Sequence, residues 1–253
     1  LSIITNFRDL GGIQTINGQH LLPRRLLRSA ELSQLAAEEA RQLLQDYRLN
    51  KVVDFRSEEE VLQRPDLHID GICYVHIDLQ PEVRHMAHAS ISTLSRLESI
   101  SQTHDYMLAL YQQLAVSPTS QAGYQQFFLE LLNNPAHESV LFHCAAGKDR
   151  TGIATMLILE ALEVARPRIY QDYLQTNRLR QAENTRLLAQ AAAAGADQAQ
   201  QAAFAIALQV DSRYLDRFYR TVEEHYGSMD DYLQSAIGLD THSKRQLRQQ
   251  YLQ

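Results

Sequence analysis

The sequence has no tryptophan, only two cysteines and no long apolar run. Two cysteines, Cys73 and Cys144, do not make a disulfide framework. The apolar stretch after Gly152 is interrupted by Glu160 and Glu163, so nothing reads as an integral membrane segment. Basic residues are not in excess: 24 Lys and Arg stand against 30 Asp and Glu, a formal charge of −6. That balance argues against a nucleic-acid partner, while leaving room for a local basic pocket. No internal repeat is evident. No signal peptide is visible in a chain that opens at Leu1, so cytoplasmic and secreted locations both stay open, as does the oligomeric state. What remains is an ordinary globular composition, 45% hydrophobic, of a length that suits one large domain over residues 1–253.

One stretch organises this chain: Val140-Leu141-Phe142-His143-Cys144-Ala145-Ala146-Gly147-Lys148-Asp149-Arg150-Thr151-Gly152. It begins as a buried strand, turns through small residues, and enters an apolar helix at Thr151. A cysteine between a strand end and a helix start meets converging backbone N–H groups and the positive end of the helix dipole, which favour a thiolate. Arg150 supplies a planar fork for two oxygens of a phosphate. The Thr151 hydroxyl is placed to donate to the sulfur, and His143 to fix the loop from behind. Ala145, Ala146, Gly147 and Lys148 complete an anion cradle with a nucleophile at its floor. The plain alternative is a buried cysteine that only packs a core and is inert.

This run resembles the cysteine-dependent protein tyrosine phosphatases, whose signature is His-Cys, five residues, Arg, then Ser or Thr. The Gly147-Lys148-Asp149-Arg150-Thr151-Gly152 wording is similar to a bacterial group that includes lipid and protein phosphatases of pathogens. Arg8-Asp9-Leu10-Gly11-Gly12, the Arg28 to Ser33 segment and Tyr226 to Leu233 resemble the same group, so the likeness spans much of the chain. It implies an α/β fold, a tyrosine-phosphatase-like mixed central sheet flanked by helices, with a helical carboxy-terminal part. Arg8 and Asp9 also read as a local salt bridge.

In chain order, Ile13 to Leu22 reads as a hairpin turning at Asn17-Gly18. Leu26 to Ser29 reads as a short strand. Ser33 reads as the cap of a helix reaching Tyr47. Lys51 to Phe55 reads as a strand, after which Asp54 and Arg56 brace a loop. Ser57 and Glu60 form a capping box opening another helix. Ile72 to Ile77 is the next strand, followed directly by Asp78. Between Gln80 and Val116 the pattern is helical, with His85 and His88 one turn apart; lacking a third ligand, they suit a solvated face better than a metal. Arg166-Pro167 is expected to end the helix that follows the cysteine loop. Tyr170, Tyr173 and Leu174 form an inner helix face. The Ala/Gln-rich stretch from Leu187 to Leu208, broken by Gly195, reads either as surface helices or as a helical lid at about 185–210; the resemblance implies that some members carry such a lid, and both readings stay open.

The expected reaction is phosphomonoester hydrolysis through a phosphocysteine on Cys144, with Arg150 and loop N–H groups holding the phosphoryl oxygens. It requires no cofactor and no metal, since the cradle supplies the positive charge. The partner is a phosphorylated protein or a phosphoinositide substrate. Lys148 and Asp149 stand where many tyrosine phosphatases have an apolar residue and Gly. The lysine resembles that of phosphoinositide phosphatases; it also reads as a salt bridge to Asp149. Without tryptophan there is no Trp-Pro-Asp acid loop, and Arg64-Pro65-Asp66 precedes the wrong strand for one. Asp149 and Asp78 compete as general acid, with Asp149 preferred. The rivals are a phosphoinositide phosphatase with little protein phosphatase activity, a phosphate-binding pseudophosphatase, and a rhodanese or arsenate reductase. The intact Cys144 and Arg150 argue against the pseudophosphatase, and the His before the cysteine fits the last pair poorly.

Overall fold

The computed structural model describes residues 4–79 and 99–253. His85 and His88 lie outside the described residues. A five-stranded sheet runs in the order β1 (Arg8–Asp9), β2 (Leu26–Ser29), β5 (Ser139–His143), β3 (Leu49–Asp54), β4 (Cys73–His76). β2, β5, β3 and β4 are parallel; β1 is antiparallel to β2, which makes the sheet mixed. Both faces of the central strands are buried, so these strands read as continuous apolar runs rather than alternating ones. Period two then divides them. Val140 and Phe142 of β5, with Val53 of β3, enter the larger core. Leu141 and Val52 enter a smaller one with Leu35 and Leu43.

Helices cover both faces. α1 (Ala37–Gln45) closes the smaller core, and α2 (Glu58–Gln63) follows β3. α3 (Ile100–Val116) and α4 (Pro118–Leu132) precede β5, and α5 (Arg150–Ala161) follows it. Every residue of α5 except Glu160 is buried, as expected of a helix apolar all round. α6 (Arg166–Leu179), α7 (Gln181–Ala193), α8 (Gln198–Ala207), α9 (Ser212–Tyr226), α10 (Met229–Ser235) and α11 (Thr241–Tyr251) make the carboxy-terminal part helical. Among the described residues no helix is long and apolar enough to cross a membrane.

Several local expectations hold. Gln14 and His20 bridge antiparallel around Gly18, and Ser57 with Glu60 closes a full capping box on α2. Others are corrected. α1 starts at Ala37, because Glu39 reaches back to the Ala36 N–H while the Ser33 hydroxyl turns to Glu31. Arg166-Pro167 does not end α5. That helix stops at Ala161, Glu163 takes a positive φ of 59°, and Pro167 sits in the first turn of α6, where its missing N–H costs nothing. Leu174 is exposed, so the inner face of α6 runs through Tyr173 without it. Arg8 and Asp9 do not pair. Arg8 crosses to Asp172 on α6, while Asp9 accepts from the backbone of Gly11 and Arg24.

Candidate active site

The cysteine loop leaves the carboxyl end of β5, flanked by β2 and β3, where parallel α/β sheets leave a crevice. Cys144 is 2% exposed and lies at the floor. The chain then turns at Gly147 with φ +65°, and a Cβ there would lie 2.1 Å from the Ser29 carbonyl oxygen, so only glycine fits. Three successive loop carbonyls are held by groups outside the loop. Ala145 O accepts from the Glu31 N–H at 3.2 Å. Ala146 O accepts from Asn6 Nδ2 at 3.3 Å and Arg180 Nη1 at 3.0 Å. Gly147 O accepts from Asn6 Nδ2 at 2.7 Å and Arg28 Nη2 at 2.9 Å. In a trans peptide the C=O and the following N–H point oppositely. The N–H groups of Ala146, Gly147 and Lys148 therefore turn into the concavity, forming an anion nest.

Arg150 opens α5 with its side chain buried beneath the same loop. Its Nη1 donates to Phe55 O at 3.1 Å and to Glu60 Oε2 at 2.6 Å, and its Nη2 donates to Glu60 Oε1 at 2.7 Å. These bonds use both hydrogens of Nη1 and one of Nη2, which leaves Nε–H and the second Nη2–H along one edge of the guanidinium. That edge is the geometry which grips two oxygens of a phosphate. Burial alone would lower the Arg150 pKa, but the Glu60 carboxylate outweighs it and holds the cation charged. Glu60 also accepts from the Ser57 N–H at 2.6 Å, so one side chain closes the cap of α2 and orients the arginine.

His143 is fully buried behind the loop. Its Nε2 lies 2.9 Å from Asp66 Oδ2, and its Nδ1 lies 3.8 Å from Asp54 Oδ1 and 3.3 Å from the Cys144 carbonyl oxygen. Burial opposes its charge; Asp54 and Asp66 overcome that and push its pKa up to about 9. Asp54, Asp66 and His143 bring donor atoms within 4.8 Å of one another, a spacing that could hold a metal. Arg56 already fills that role: its guanidinium reaches Asp54 at 2.7 Å and Asp66 at 2.9 Å. The group therefore suits a metal poorly. On the other flank Asp172 joins Arg8 and Arg28, each at 2.7 Å. Burial would raise the Asp172 pKa, but the two guanidinium groups hold it below the usual range.

The structure brings Cys144, Arg150, Asp149, Lys148 and Thr151 together. Thr151 Oγ1 is buried and makes no hydrogen bond among the described residues, so the expected donation to the Cys144 sulfur is not formed here. Lys148 is 4% exposed and its Nζ contacts both Asp149 oxygens, at 2.9 and 2.7 Å, which is the salt-bridge reading. Asp149 Oδ1 also accepts from Tyr111 Oη at 2.8 Å. Asp78 is exposed, two residues beyond the end of β4. β4 is separated from β5 by β3, about 10 Å of strand spacing from the cysteine strand.

Sequence reasoning passed over Asn6, Arg28, Glu31, Tyr111, Asp172 and Arg180, and knew Glu60 only as a cap. A signal existed for Arg28, a charged residue inside the apolar run Leu26-Leu27, which must find a buried partner. None existed for Arg180 or Tyr111, whose contacts lie 34 and 38 residues away.

A family model described as the tyrosine phosphatase family matches residues 1–253. A Cupriavidus necator protein named "Putative tyrosine-protein phosphatase" is 33% identical over 250 residues, 98% of this chain and 86% of its own. The triple specificity protein phosphatase PtpB of Mycobacterium tuberculosis is 31% identical over 259 residues, covering 91% of each chain. A crystal structure of P. aeruginosa TpbA in complex with phosphotyrosine aligns over 75% of this chain and 89% of its own, at 17% identity and a TM-score of 0.30, too distant to add weight.

Proposed function

Because the chain belongs to the tyrosine phosphatase family, we propose that it hydrolyses phosphomonoesters through a phosphocysteine on Cys144. Its substrates are phosphotyrosine, with phosphoserine or phosphothreonine as further targets, and phosphoinositides. The observation that carries this reading is the Arg150 edge left open by Glu60 beside the cysteine loop. In the first step the Cys144 thiolate attacks phosphorus opposite the leaving oxygen. The S–P bond forms, the P–O bond breaks, and the leaving oxygen takes a proton from Asp149. Arg150 and the inward N–H groups hold the equatorial oxygens throughout. In the second step water attacks phosphorus, returns a proton to Asp149 and releases the thiolate. Asp149 is preferred to Asp78 because it stands on the cysteine loop itself.

Phosphoinositide activity is supported by Lys148, and action on more than one kind of phosphorylated residue by the name of the mycobacterial relative, a triple specificity protein phosphatase. Lys148 is spent on Asp149 in the structure, so a second phosphate must draw its ammonium away. A substrate panel of phosphopeptides and phosphoinositides tests the reading, with Cys144→Ser as control. Wild-type protein should turn over both classes, while Cys144→Ser binds phosphate without turnover. Lys148→Ala should lower kcat/KM more for phosphoinositides than for phosphotyrosine. Turnover by Cys144→Ser near the wild-type rate would sink the covalent mechanism, and a uniform loss in Lys148→Ala would leave that lysine only shaping the loop.

A further inference from the structure

Asp149 is gripped from outside its own loop. Tyr111, fully buried in the middle of α3, donates from Oη to Asp149 Oδ1 at 2.8 Å. The same Oη lies 2.7 Å from Tyr173 Oη on α6. A phenol carries one hydrogen. Since Tyr111 gives its hydrogen to Asp149, the contact with Tyr173 must be a donation by Tyr173. The chain of bonds therefore has one direction, Tyr173 to Tyr111 to Asp149. Burial holds both phenols well above their ordinary titration range, so neither loses its hydrogen under working conditions. Lys148, Arg150 and Arg180 surround the same carboxylate with positive charge, and Tyr214 of α9 flanks it.

This direction decides which Asp149 oxygen carries a proton. Oδ1 accepts from Tyr111 whether or not the carboxyl group is protonated, provided the hydrogen sits on Oδ2. Among the described residues the contact found at Oδ2 is Lys148 Nζ, at 2.7 Å, and that ammonium keeps its contact with Oδ1 at 2.9 Å if it swings off. We propose that Tyr111, backed by Tyr173, is a positioning residue that reserves Asp149 Oδ1 as acceptor and presents Oδ2 as the proton donor to the leaving oxygen. The proposal rests on Asp149 being the general acid.

The test is a leaving-group series. Tyr111→Phe, Tyr173→Phe and Asp149→Asn are assayed on aryl and alkyl phosphates whose leaving groups span a wide pKa range. Tyr111→Phe removes one oxygen and keeps the ring against Tyr214, 5.6 Å between centroids, so the fold should survive. Its kcat/KM, which reports the step that expels the leaving group, should drop about tenfold or more on poor leaving groups, the worth of a bond to a charged acceptor. On an activated phenol the drop should nearly vanish. Tyr173→Phe should shift the slope the same way by less. Adding Tyr111→Phe to Asp149→Asn should change the slope no further. If Tyr111→Phe loses activity equally across the series while Asp149→Asn steepens it, the acid reading stands and the positioning role is overturned. If Asp149→Asn leaves the slope unchanged, the acid reading itself fails and takes the proposal with it.

Discussion

At the scale of single residues, the proposed nucleophile and the arginine proposed to bind phosphate could be read from the sequence because their chemistry is local. Cys144 and Arg150 lie on one continuous strand, loop and helix, and Gly147 announces the turn between them. What sets Arg150 in place was not legible, because Glu60 comes 90 residues earlier and reads completely as a capping residue. A capping box uses one carboxylate oxygen, and the sequence does not say where the other goes. Glu60→Gln separates the two duties, since the amide oxygen still accepts from the Ser57 N–H. It loses the paired charge on Arg150. We expect kcat/KM to drop roughly 10- to 100-fold, from a buried charged bond of about 1.5–3 kcal/mol, with only a small loss of helix stability. Arg150→Lys should be at least as impaired, because an ammonium cannot grip two oxygens side by side. Steady-state kinetics beside a thermal melt check both. A Glu60→Gln protein with full activity would remove the clamp from the account.

At the scale of elements, periodicity found the strands and most helices, and it failed where a cap is chosen by tertiary contacts. Ser33 had the right type to start α1 but found Glu31 instead. The Ala/Gln-rich stretch showed helix without showing its partner. In the structure α7 and α8 turn about Gly195 and share a small core of Ala191, Ala203 and Phe204. Where α6 gives way to α7, Arg180 donates to the Ala146 carbonyl of the cysteine loop. The hairpin is thus tied to the loop at its root, which supports the lid as a proposal. Its core is small, so it should open at lower free energy than the sheet. Hydrogen exchange over residues 185–210 should therefore slow when vanadate or phosphate occupies the cradle. Shortening the hairpin should alter kcat/KM for bulky substrates more than for a small aryl phosphate. Unchanged exchange, with equal effects on both substrates, would leave α7 and α8 as surface helices.

At the scale of the whole molecule, a net charge of −6 coexists with cations concentrated around one loop. Composition gave an argument against a general nucleic-acid binder, but it could not reveal how the buried cations are partnered. Arg28 and Arg8 share the single carboxylate of Asp172, while Arg56 and His143 stand against Asp54 and Asp66. The histidine is the member that titrates in an accessible range. Its pKa rises from 6.5 in an unfolded chain to about 9 in the fold, where its carboxylate partners outweigh the cost of burial. A group raised on folding contributes stability that is complete below the unfolded value and disappears as pH climbs through the folded one. The shift corresponds to something on the order of 3 kcal/mol. In a chain of this size that is roughly 5–10 °C of melting temperature. Melting curves of wild type and His143→Gln, taken from pH 6 to pH 10, isolate the effect because every other titrating group is common to both. The gap between them should be widest near pH 6, shrink from about pH 6.5 upward and be largely closed above pH 9. Salt should scarcely change it, since the pair is buried and ionic screening acts mainly on exposed charges. A gap of constant size across that range would mean that the ring is neutral and that hydrogen bonding alone fixes the loop from behind.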